Sequence, residues 1–268
     1  MLKDITLGQY FPGNTVAHKL DPRTKILLVV LYIVALFCAK SLLTYGLMAL
    51  CLAVCVRISR VGVKQRVRGL KPVLVIIIFT GILNLFFTPG DRYIFEWGFL
   101  HVSDTGLRSA VFMVLRIMLL IMGTFLMTYT TSPISLTDGL ERLLNGLKKL
   151  HVPVHELAMM MSIALRFIPT LIEETDKIMS AQKARGADFE SGNLIQKAKA
   201  LIPILVPLFI SAFRRADELA TAMECRCYHG GEGRTKLHVL KYQRRDYIAL
   251  TAGVLVVAAV LVLRHFGL

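Results

Sequence analysis

The sequence predicts an all-α protein with about five membrane-spanning helices and a cytoplasmic domain of two long paired helices. Three observations predict this fold class. First, 55% of the 268 residues are hydrophobic and the mean hydropathy is +0.59, more than a soluble domain needs to fill its core. Second, the hydrophobic residues form runs of roughly the length that crosses a bilayer. Third, the basic residues are concentrated between alternate runs.

The first two predicted spans form a helical hairpin. Asp21-Pro22 is typical of a helix start, because the carboxylate accepts unpaired amide hydrogens and proline suits the first helical position. The first span covers about 22–39 and the second about 42–56, with Lys40-Ser41 at the turn. Each run is close to the lower limit of about 17 residues for a span, so we expect the flanking residues to contribute.

Three more runs complete the predicted set of spans. The third covers about 72–88 and ends at Pro89-Gly90-Asp91, which is a strong turn signal. The fourth, about 107–131, is long enough to cross the bilayer with tilt. The last predicted span lies within 246–268 and closes the chain. Its apolar part covers 247–263 and is again long enough to cross.

The distribution of basic residues predicts the orientation. The chain has 32 Lys and Arg against 18 Asp and Glu, a formal net charge of +14. With the N-terminus inside, the cytoplasmic segments 1–25, 57–71 and 132–245 hold 27 of the 32 basic residues. Since Lys and Arg are retained on the cytoplasmic side during insertion, we predict a C-terminus outside. The predicted domains are a membrane domain (1–131), the cytoplasmic domain 132–245 and a last transmembrane helix (246–268).

Two further apolar stretches, within the cytoplasmic domain, are predicted not to cross the membrane. One covers 157–172 and is interrupted by Arg166, and the other covers 201–213 and is interrupted by Pro203 and Pro207. If both crossed, the basic segment between them would be exported, against the charge rule. We therefore predict two kinked helices that lie at the inner surface of the membrane.

Each of these two helices ends near a short arginine motif. The first is predicted to follow Pro153 and run to Lys183, before Ala184-Arg185-Gly186. The second is predicted over 194–228 and contains Cys225-Arg226-Cys227 near its end. Glycine after a basic last turn is an ordinary helix cap, so capping is one interpretation. The other is docking, since guanidinium groups at paired cytosolic helix ends suit carboxylates and carbonyls of a partner.

Arg116 is a further candidate, because it lies inside the fourth predicted span. An intramembrane charge is expensive, so it is expected either to serve function or to be paired inside the helix bundle. None of the apolar runs contains an acidic residue. Asn84 and Tyr129 are therefore the predicted hydrogen-bonding neighbours, and both the structural and the functional interpretation stay open.

The sequence predicts no catalytic residue, no metal site and no cofactor. The chain lacks the G-x-x-x-x-G-K-[ST] phosphate loop, so it does not bind ATP by that route. His155-Glu156 begins like a zinc-protease motif, but Met159 stands where the second histidine is required. His151 and His155 are therefore predicted to be loop and cap residues, and Cys225-Arg226-Cys227 lacks the spacing of a zinc site.

A membrane-anchored protein that binds anionic lipid or nucleic acid is the alternative function. The cytoplasmic domain 132–245 holds 17 basic residues, which favours such partners. However, 12 acidic residues are interspersed among them, and the segment has no run of aromatic residues for base stacking. We therefore predict the lipid bilayer as a partner and no binding of nucleic acid. An intramembrane enzyme is disfavoured because the spans lack clustered His, Asp or Ser.

Five short motifs are distributed along the chain from the first span to the end of the second long helix. They are Leu20-Asp21-Pro22-Arg23-Thr24-Lys25, Thr130-Thr131-Ser132-Pro133, Ala164-Leu165-Arg166-Phe167-Ile168-Pro169, Ala181-Gln182-Lys183-Ala184-Arg185-Gly186 and Ala222-Met223-Glu224-Cys225-Arg226-Cys227-Tyr228. Together they resemble the transmembrane (T) component of energy-coupling factor transporters, the family that includes the cobalt-uptake Q subunits. The resemblance covers essentially the whole chain.

The resemblance implies a role for both arginine motifs. In that family two Ala-Arg-Gly motifs end the coupling helices, and their arginines insert into grooves of two ABC ATPases. The implied docking residues are therefore Ala184, Arg185 and Gly186 in the first motif and Cys225, Arg226 and Cys227 in the second. The cysteines replace Ala and Gly of the family pattern, a departure that concerns the backbone at the helix end and leaves the charge unchanged.

The resemblance also implies the wider function. It implies a multi-pass protein of the prokaryotic cytoplasmic membrane that couples ATP hydrolysis to uptake of vitamins or metal ions. The expected partners are two ABC ATPase subunits and a substrate-binding S subunit, with ATP and magnesium held by the ATPases. The chain itself is then the non-catalytic, energy-coupling subunit of an importer.

Overall fold

The computed structural model describes residues 10–88, 93–97, 100–189, 191, 193–230 and 239–266. The helical fold class is confirmed, and the helices are α1 Val16–Lys19, α2 Pro22–Cys38, α3 Leu42–Ser59, α4 Val63–Phe87, α5 Asp104–Thr130, α6 Pro133–Leu144, α7 Val154–Ala184, α8 Leu194–Glu224 and α9 Arg244–His265. A 3₁₀ helix covers Asn145–Leu150, and two strands, β1 Tyr93–Trp97 and β2 Leu100–Ser103, lie between α4 and α5.

The observed helix bounds differ most from the predicted spans in α4. This helix begins at Val63, nine residues before the predicted span, and it contains Pro72 in its interior. The basic residues before Pro72 are good helix formers, so the helix extends through them although they are too polar for the bilayer core. Helix α8 ends at Glu224, earlier than the predicted Tyr228, because the last residues of the motif form a capping turn.

The hairpin of β1 and β2 was not predicted. The strands are antiparallel, with Tyr93 opposite Ser103 and Phe95 opposite Val102, and the register shifts between Tyr93 and Phe95. Four of the five residues of β1 are aromatic or β-branched, which favours this conformation. Strands of five and four residues are too short to be detected in a search for apolar runs of membrane-spanning length.

Six helices are long and apolar enough to cross a membrane on length and composition alone. They are α3, α5, α7, α8, α9 and the 69–87 part of α4. Helix α2, with 17 residues, is at the lower limit for a span. The set includes α7 and α8, so the distribution of basic residues remains the argument that places these two helices at the inner face. Their cytoplasmic location, and that of the termini, stays a prediction.

The chain divides into two compact units, which lie within 8–143 with 239–268, and within 144–238. The predicted cytoplasmic domain 132–245 is wider than the second unit, because α6 and the start of α9 belong to the first. In the first unit, α2 packs against α5 and α9. Small residues allow this close approach, as is usual between membrane helices: a Cβ atom at Gly123 would lie 2.5 Å from the Tyr32 ring.

A buried polar network joins the N-terminal ends of α2 and α9. The Asp21 side chain accepts a hydrogen bond from the Arg23 backbone N–H at 2.9 Å, which confirms the predicted cap. The Asp21 N–H donates to Asp246 Oδ1 at 2.8 Å, and the other oxygen of Asp246 accepts from the Gln243 N–H at 2.8 Å. Burial raises the pKa of Asp21, but hydrogen bonds from the Arg23 side chain and backbone hold it below its ordinary value.

Lys25 connects the same region to the end of α5. Its Nζ is buried and donates to the Thr130 carbonyl at 2.8 Å and to Thr131 Oγ1 at 3.2 Å. Carbonyls at a helix C-terminus lack donors within the helix and carry partial negative charge, so a lysine is well suited to them. Two of the five motifs, at 20–25 and 130–133, therefore hold the first unit together at one end of its helices.

Candidate docking site at two helix ends

Helices α7 and α8 of the second unit pair antiparallel. Glu174 forms an ion pair with Arg215, with 2.7 Å between Oε2 and Nη2, and also accepts a hydrogen bond from the Ser211 hydroxyl. Further along α7, Gln182 Nε2 donates to the Pro203 carbonyl of α8 at 3.3 Å. Residue numbers rise along α7 while those of the contacted residues fall along α8. The C-terminal ends of the two helices therefore point in opposite directions.

Helix α7 ends in a capping turn of the Schellman type. The Gly186 N–H donates to the Lys183 carbonyl at 3.0 Å, and the Ala187 N–H donates to the Gln182 carbonyl at 3.0 Å. Gly186 has φ of +86°, the left-handed conformation that this turn requires. Arg185 is the last residue before this glycine, so its side chain leaves the helix at a defined end.

Helix α8 ends in the same turn, although its sequence differs. The Cys227 N–H donates to the Glu224 carbonyl at 2.9 Å, and the Tyr228 N–H donates to the Met223 carbonyl at 3.1 Å. Cys227 has φ of +55°, so it takes the conformation that Gly186 takes in the first motif. Arg226 precedes it as Arg185 precedes Gly186. The departure of the second motif from the family pattern thus leaves the backbone turn unchanged.

The left-handed conformation of Cys227 carries a local cost. A residue with a Cβ atom is disfavoured there by about 1 kcal/mol relative to glycine. The Cys227 carbonyl is 2.7 Å from His229 Nδ1, and since a carbonyl only accepts, the histidine is the donor. This hydrogen bond and the two backbone bonds of the cap stabilise the turn against the strain.

Both arginines are exposed and available. Within the part of the chain that the structure describes, neither the Arg185 nor the Arg226 guanidinium has a hydrogen-bonding or ion-pair partner. Ala184 and Cys225, which precede them, are exposed as well. A planar guanidinium group presents five N–H donors in a fixed arrangement. Each helix end therefore offers a free donor group to a carboxylate or carbonyl of another protein.

The two arginines lie far apart at opposite ends of the helix pair. The Glu174–Arg215 ion pair lies midway, because Arg185 follows Glu174 by 11 residues and Arg226 follows Arg215 by 11 residues. At a rise of 1.5 Å per residue the two arms extend in opposite directions and separate the arginines by on the order of 30 Å. One small ligand does not bridge this distance, so the geometry fits two separate binding sites.

The helix pair also exposes a large apolar surface within its own unit. On α8 many of the exposed residues in the N-terminal two thirds of the helix are large and aliphatic or aromatic, with Phe209 at 60% and Phe213 at 68% exposure. The large exposed hydrophobic residues are Leu157, Met160 and Met161 on α7, and Ile195, Leu201, Ile202, Leu205, Val206, Phe209, Ile210 and Phe213 on α8. An apolar surface of this extent is covered by lipid or by another apolar protein surface in a membrane protein.

Arg116 is paired inside the first unit. Its Nε donates to the Tyr45 hydroxyl at 2.9 Å, and its Nη2 lies 3.4 Å from the Ala39 carbonyl at the C-terminal end of α2. The predicted neighbours are wrong: the Asn84 amide donates within its own helix to the Thr80 carbonyl at 3.0 Å, and Tyr129 lies 13 residues further along α5, about 20 Å from Arg116. The contacts favour the structural interpretation, in which Arg116 connects α5 to the α2–α3 turn.

We expect Arg116→Met to destabilise the first unit by about 1–3 kcal/mol, because it leaves the Tyr45 hydroxyl and the Ala39 carbonyl without this donor. Thermal unfolding of the purified chain in detergent measures the change. Arg108→Met, at an exposed position of the same helix, is the matched control and should unfold near the wild-type temperature. Equal unfolding temperatures for Arg116→Met and wild type would contradict the structural role.

No group of three or more His, Cys, Asp or Glu side chains that suits a metal ion occurs among the described residues. The five cysteines are free thiols there.

The sequence also missed two features of the site, Gln182 and the ion pair of Glu174 with Arg215. A signal for the first was present, since two prolines four residues apart leave open carbonyls in a helix that neighbouring side chains can fill.

The fold and these helix ends define a multi-pass α-helical membrane protein with two exposed, arginine-bearing helix termini. Residues 13–237 match the family model CbiQ, described as cobalt transport protein. The chain belongs to this family, which confirms the resemblance stated from its motifs.

The chain is also similar over nearly its whole length to proteins named energy-coupling factor transporter transmembrane protein EcfT. It is 57% identical to the one from Clostridium kluyveri, over 97% of this chain and 97% of that protein. It is 54% identical to the one from Ruminiclostridium cellulolyticum, over 96% and 95%, and 48% identical to the one from Bacillus subtilis, over 98% and 100%. The chain is therefore a transmembrane transport protein of the energy-coupling factor class.

Proposed function

We propose that this chain is the energy-coupling subunit of an ATP-driven importer for vitamins or metal ions, with Arg185 and Arg226 as the docking groups for two ABC ATPase subunits. The observation that carries the proposal is the pair of identical capping turns, each presenting an exposed arginine, about 30 Å apart on one helix pair. Two equivalent ends at this separation suit two similar partners that bind side by side.

The mechanism follows from the helix pair. The ion pair of Glu174 with Arg215 makes α7 and α8 a crossed unit in which each arm ends in an arginine. When the two ATPases move together on binding ATP, both arms are displaced and the apolar surface of α8 moves with them. A substrate-binding S subunit that packs on this surface would then be reoriented in the membrane. ATP and magnesium belong to the ATPases, and this chain performs no chemistry.

The orientation is part of the proposal. The ATPases are cytosolic, so α7, α8 and the N-terminus lie on the cytoplasmic side and the C-terminus lies outside, as the basic residues predict. The two helices, although apolar enough to cross, then lie at the inner surface and contact lipid or the S subunit with their exposed apolar faces.

Native cysteines provide a direct test, because Cys225 and Cys227 flank Arg226 and both are exposed. We expect a membrane-impermeant maleimide to label them in inside-out vesicles that contain this chain alone. Co-expressed ATPase subunits should slow the labelling at least several-fold, since docking at Arg226 covers both thiols. Mass spectrometry of the peptide that contains both cysteines measures the rate.

The Cys225→Ser/Cys227→Ser variant is the control and defines labelling of the other three cysteines. Right-side-out vesicles should show no labelling of the peptide. An unchanged rate in the presence of ATPases would contradict docking at this end, and labelling from the outside would contradict the orientation.

A further inference from the structure

Helix α8 contains two prolines that leave specific backbone carbonyls without donors. Proline has no N–H, so Pro207 cannot donate to the carbonyl of residue 203, and Pro203 cannot donate to that of Lys199. The helix nevertheless continues without a break over Leu194–Glu224. A carbonyl left open in this way needs a donor from elsewhere.

Gln182 of α7 fills one of these positions. Its Nε2 donates to the Pro203 carbonyl at 3.3 Å, which is the carbonyl that Pro207 leaves open. The carbonyl accepts only, so the amide nitrogen of Gln182 must face it. The contact requires a donor at position 182, and the missing N–H at position 207 leaves this carbonyl without its helical hydrogen bond, so that Gln182 supplies its donor.

The same residue forms the capping turn that presents Arg185. The Gln182 carbonyl accepts hydrogen bonds from the Arg185 N–H at 3.1 Å and from the Ala187 N–H at 3.0 Å. One residue thus contacts α8 through its side chain and closes the α7 cap through its backbone. The turn that carries Arg185 is joined to α8 through three residues of chain.

Two contacts spaced equally along both helices define the register of the pair. From Glu174 to Gln182 is eight residues along α7, and from Ser211 back to Pro203 is eight residues along α8. A single ion pair acts as a pivot, and a second contact about 12 Å away prevents rotation about it. The second contact lies on the side of Arg185, so its loss frees that arm and leaves the Arg226 arm in place.

We propose that Gln182 is a positioning residue that holds the Arg185 helix end in register with α8 by donating to the carbonyl that Pro207 leaves open. The inference rests on the proposed function, because it assigns the effect to docking at Arg185. Its contact with α8 is independent of any partner.

The test uses chains that keep one docking end each. In the Arg226→Glu background, which retains the Arg185 end, we expect Gln182→Met to lower ATPase co-purification roughly 3- to 10-fold, the worth of one hydrogen bond. In the Arg185→Glu background, which retains the Arg226 end, Gln182→Met should change co-purification less than about two-fold. An equal loss at both ends would indicate general destabilisation and overturn the positioning role.

Proline variants test the stated cause. Pro207→Ala returns an N–H to the carbonyl of residue 203, so Gln182→Met should then lose most of its effect. Pro203→Ala is the matched control, because it restores a donor only to the Lys199 carbonyl and should leave the effect of Gln182→Met unchanged. The same loss in the Pro207→Ala and wild-type backgrounds would overturn the inference.

Thermal unfolding of the purified full chain compares Gln182→Met in the wild-type, Pro203→Ala and Pro207→Ala backgrounds without ATPases. Gln182→Met should lower the unfolding temperature in the wild-type and Pro203→Ala backgrounds and have little effect in the Pro207→Ala background. Parallel shifts in all three backgrounds overturn the contact itself. A failure of the proposed function gives a different result. Arg185→Glu and Arg226→Glu would then leave ATPase binding intact, while the unfolding temperatures would still show that the effect of Gln182→Met depends on Pro207.

Discussion

Replacing either Arg185 or Arg226 by Glu is expected to remove one ATPase subunit from the purified complex, and replacing both is expected to remove the two. Each guanidinium is exposed at a capped helix end and lacks a partner within the described chain, so its donors are available for an ATPase groove. Charge reversal replaces these donors with a carboxylate that the groove repels. The loss of one paired charge at an interface costs about 2–5 kcal/mol, which lowers co-purification more than ten-fold.

The two reversals should act independently. The arginines are on the order of 30 Å apart, and substitutions at this separation that share no partner are usually additive. Single variants should therefore keep one ATPase each and both should lose ATP-driven uptake through a co-expressed S subunit, because import needs both arms to move. The ratio of ATPase to this chain after affinity purification measures the first effect.

Arg214→Glu is the matched control for these variants. Arg214 is an exposed arginine of α8 and lies within the helix, 12 residues before Arg226, so its reversal makes the same change in charge away from the docking turn. It should retain both ATPases. Loss of the ATPases from Arg214→Glu would show that net charge matters more than the helix ends, and intact complexes from both reversals would end the docking assignment.

The sequence predicted the features that depend on local composition. Apolar runs and basic flanks identify the spans because insertion depends on a residue's own hydropathy and charge. Asp21-Pro22 identified the start of α2 because a cap involves only residues next to each other in the chain. The positions of Arg185 and Arg226 at helix ends were predictable for the same reason.

Contacts between distant residues were not predictable in this way. Arg116 is 71 residues from Tyr45, and hydropathy does not indicate which polar group in another span it contacts. The contact of Gln182 with Pro203 depends on the crossing of two helices, which the sequence of either one leaves undetermined. The positive φ of Cys227 was also not predictable, because residues other than glycine rarely adopt it. At this position the capping turn requires it.

The capping turn itself can be tested at Gly186. A Cβ atom there would meet nothing within 4 Å, so the effect of a substitution comes from the backbone conformation at φ of +86°. Valine is β-branched and strongly disfavoured in the left-handed region. We expect Gly186→Val to change the turn and redirect Arg185, with a loss of at least ten-fold in co-purification of the ATPase at that end. A cost of about 2 kcal/mol or more in the left-handed turn accounts for this loss.

Cysteine variants at the two equivalent positions separate strain from side-chain chemistry. Gly186→Cys makes the first turn resemble the second, and Cys227 shows that cysteine tolerates this conformation, so binding should fall only slightly. Cys227→Gly removes a strain of about 1 kcal/mol and should retain full ATPase binding at the Arg226 end. If Gly186→Val bound ATPase as well as wild type, the left-handed turn would be dispensable. If Cys227→Gly lost binding, the thiol itself would contact the partner, because the backbone of the turn is the one that glycine prefers.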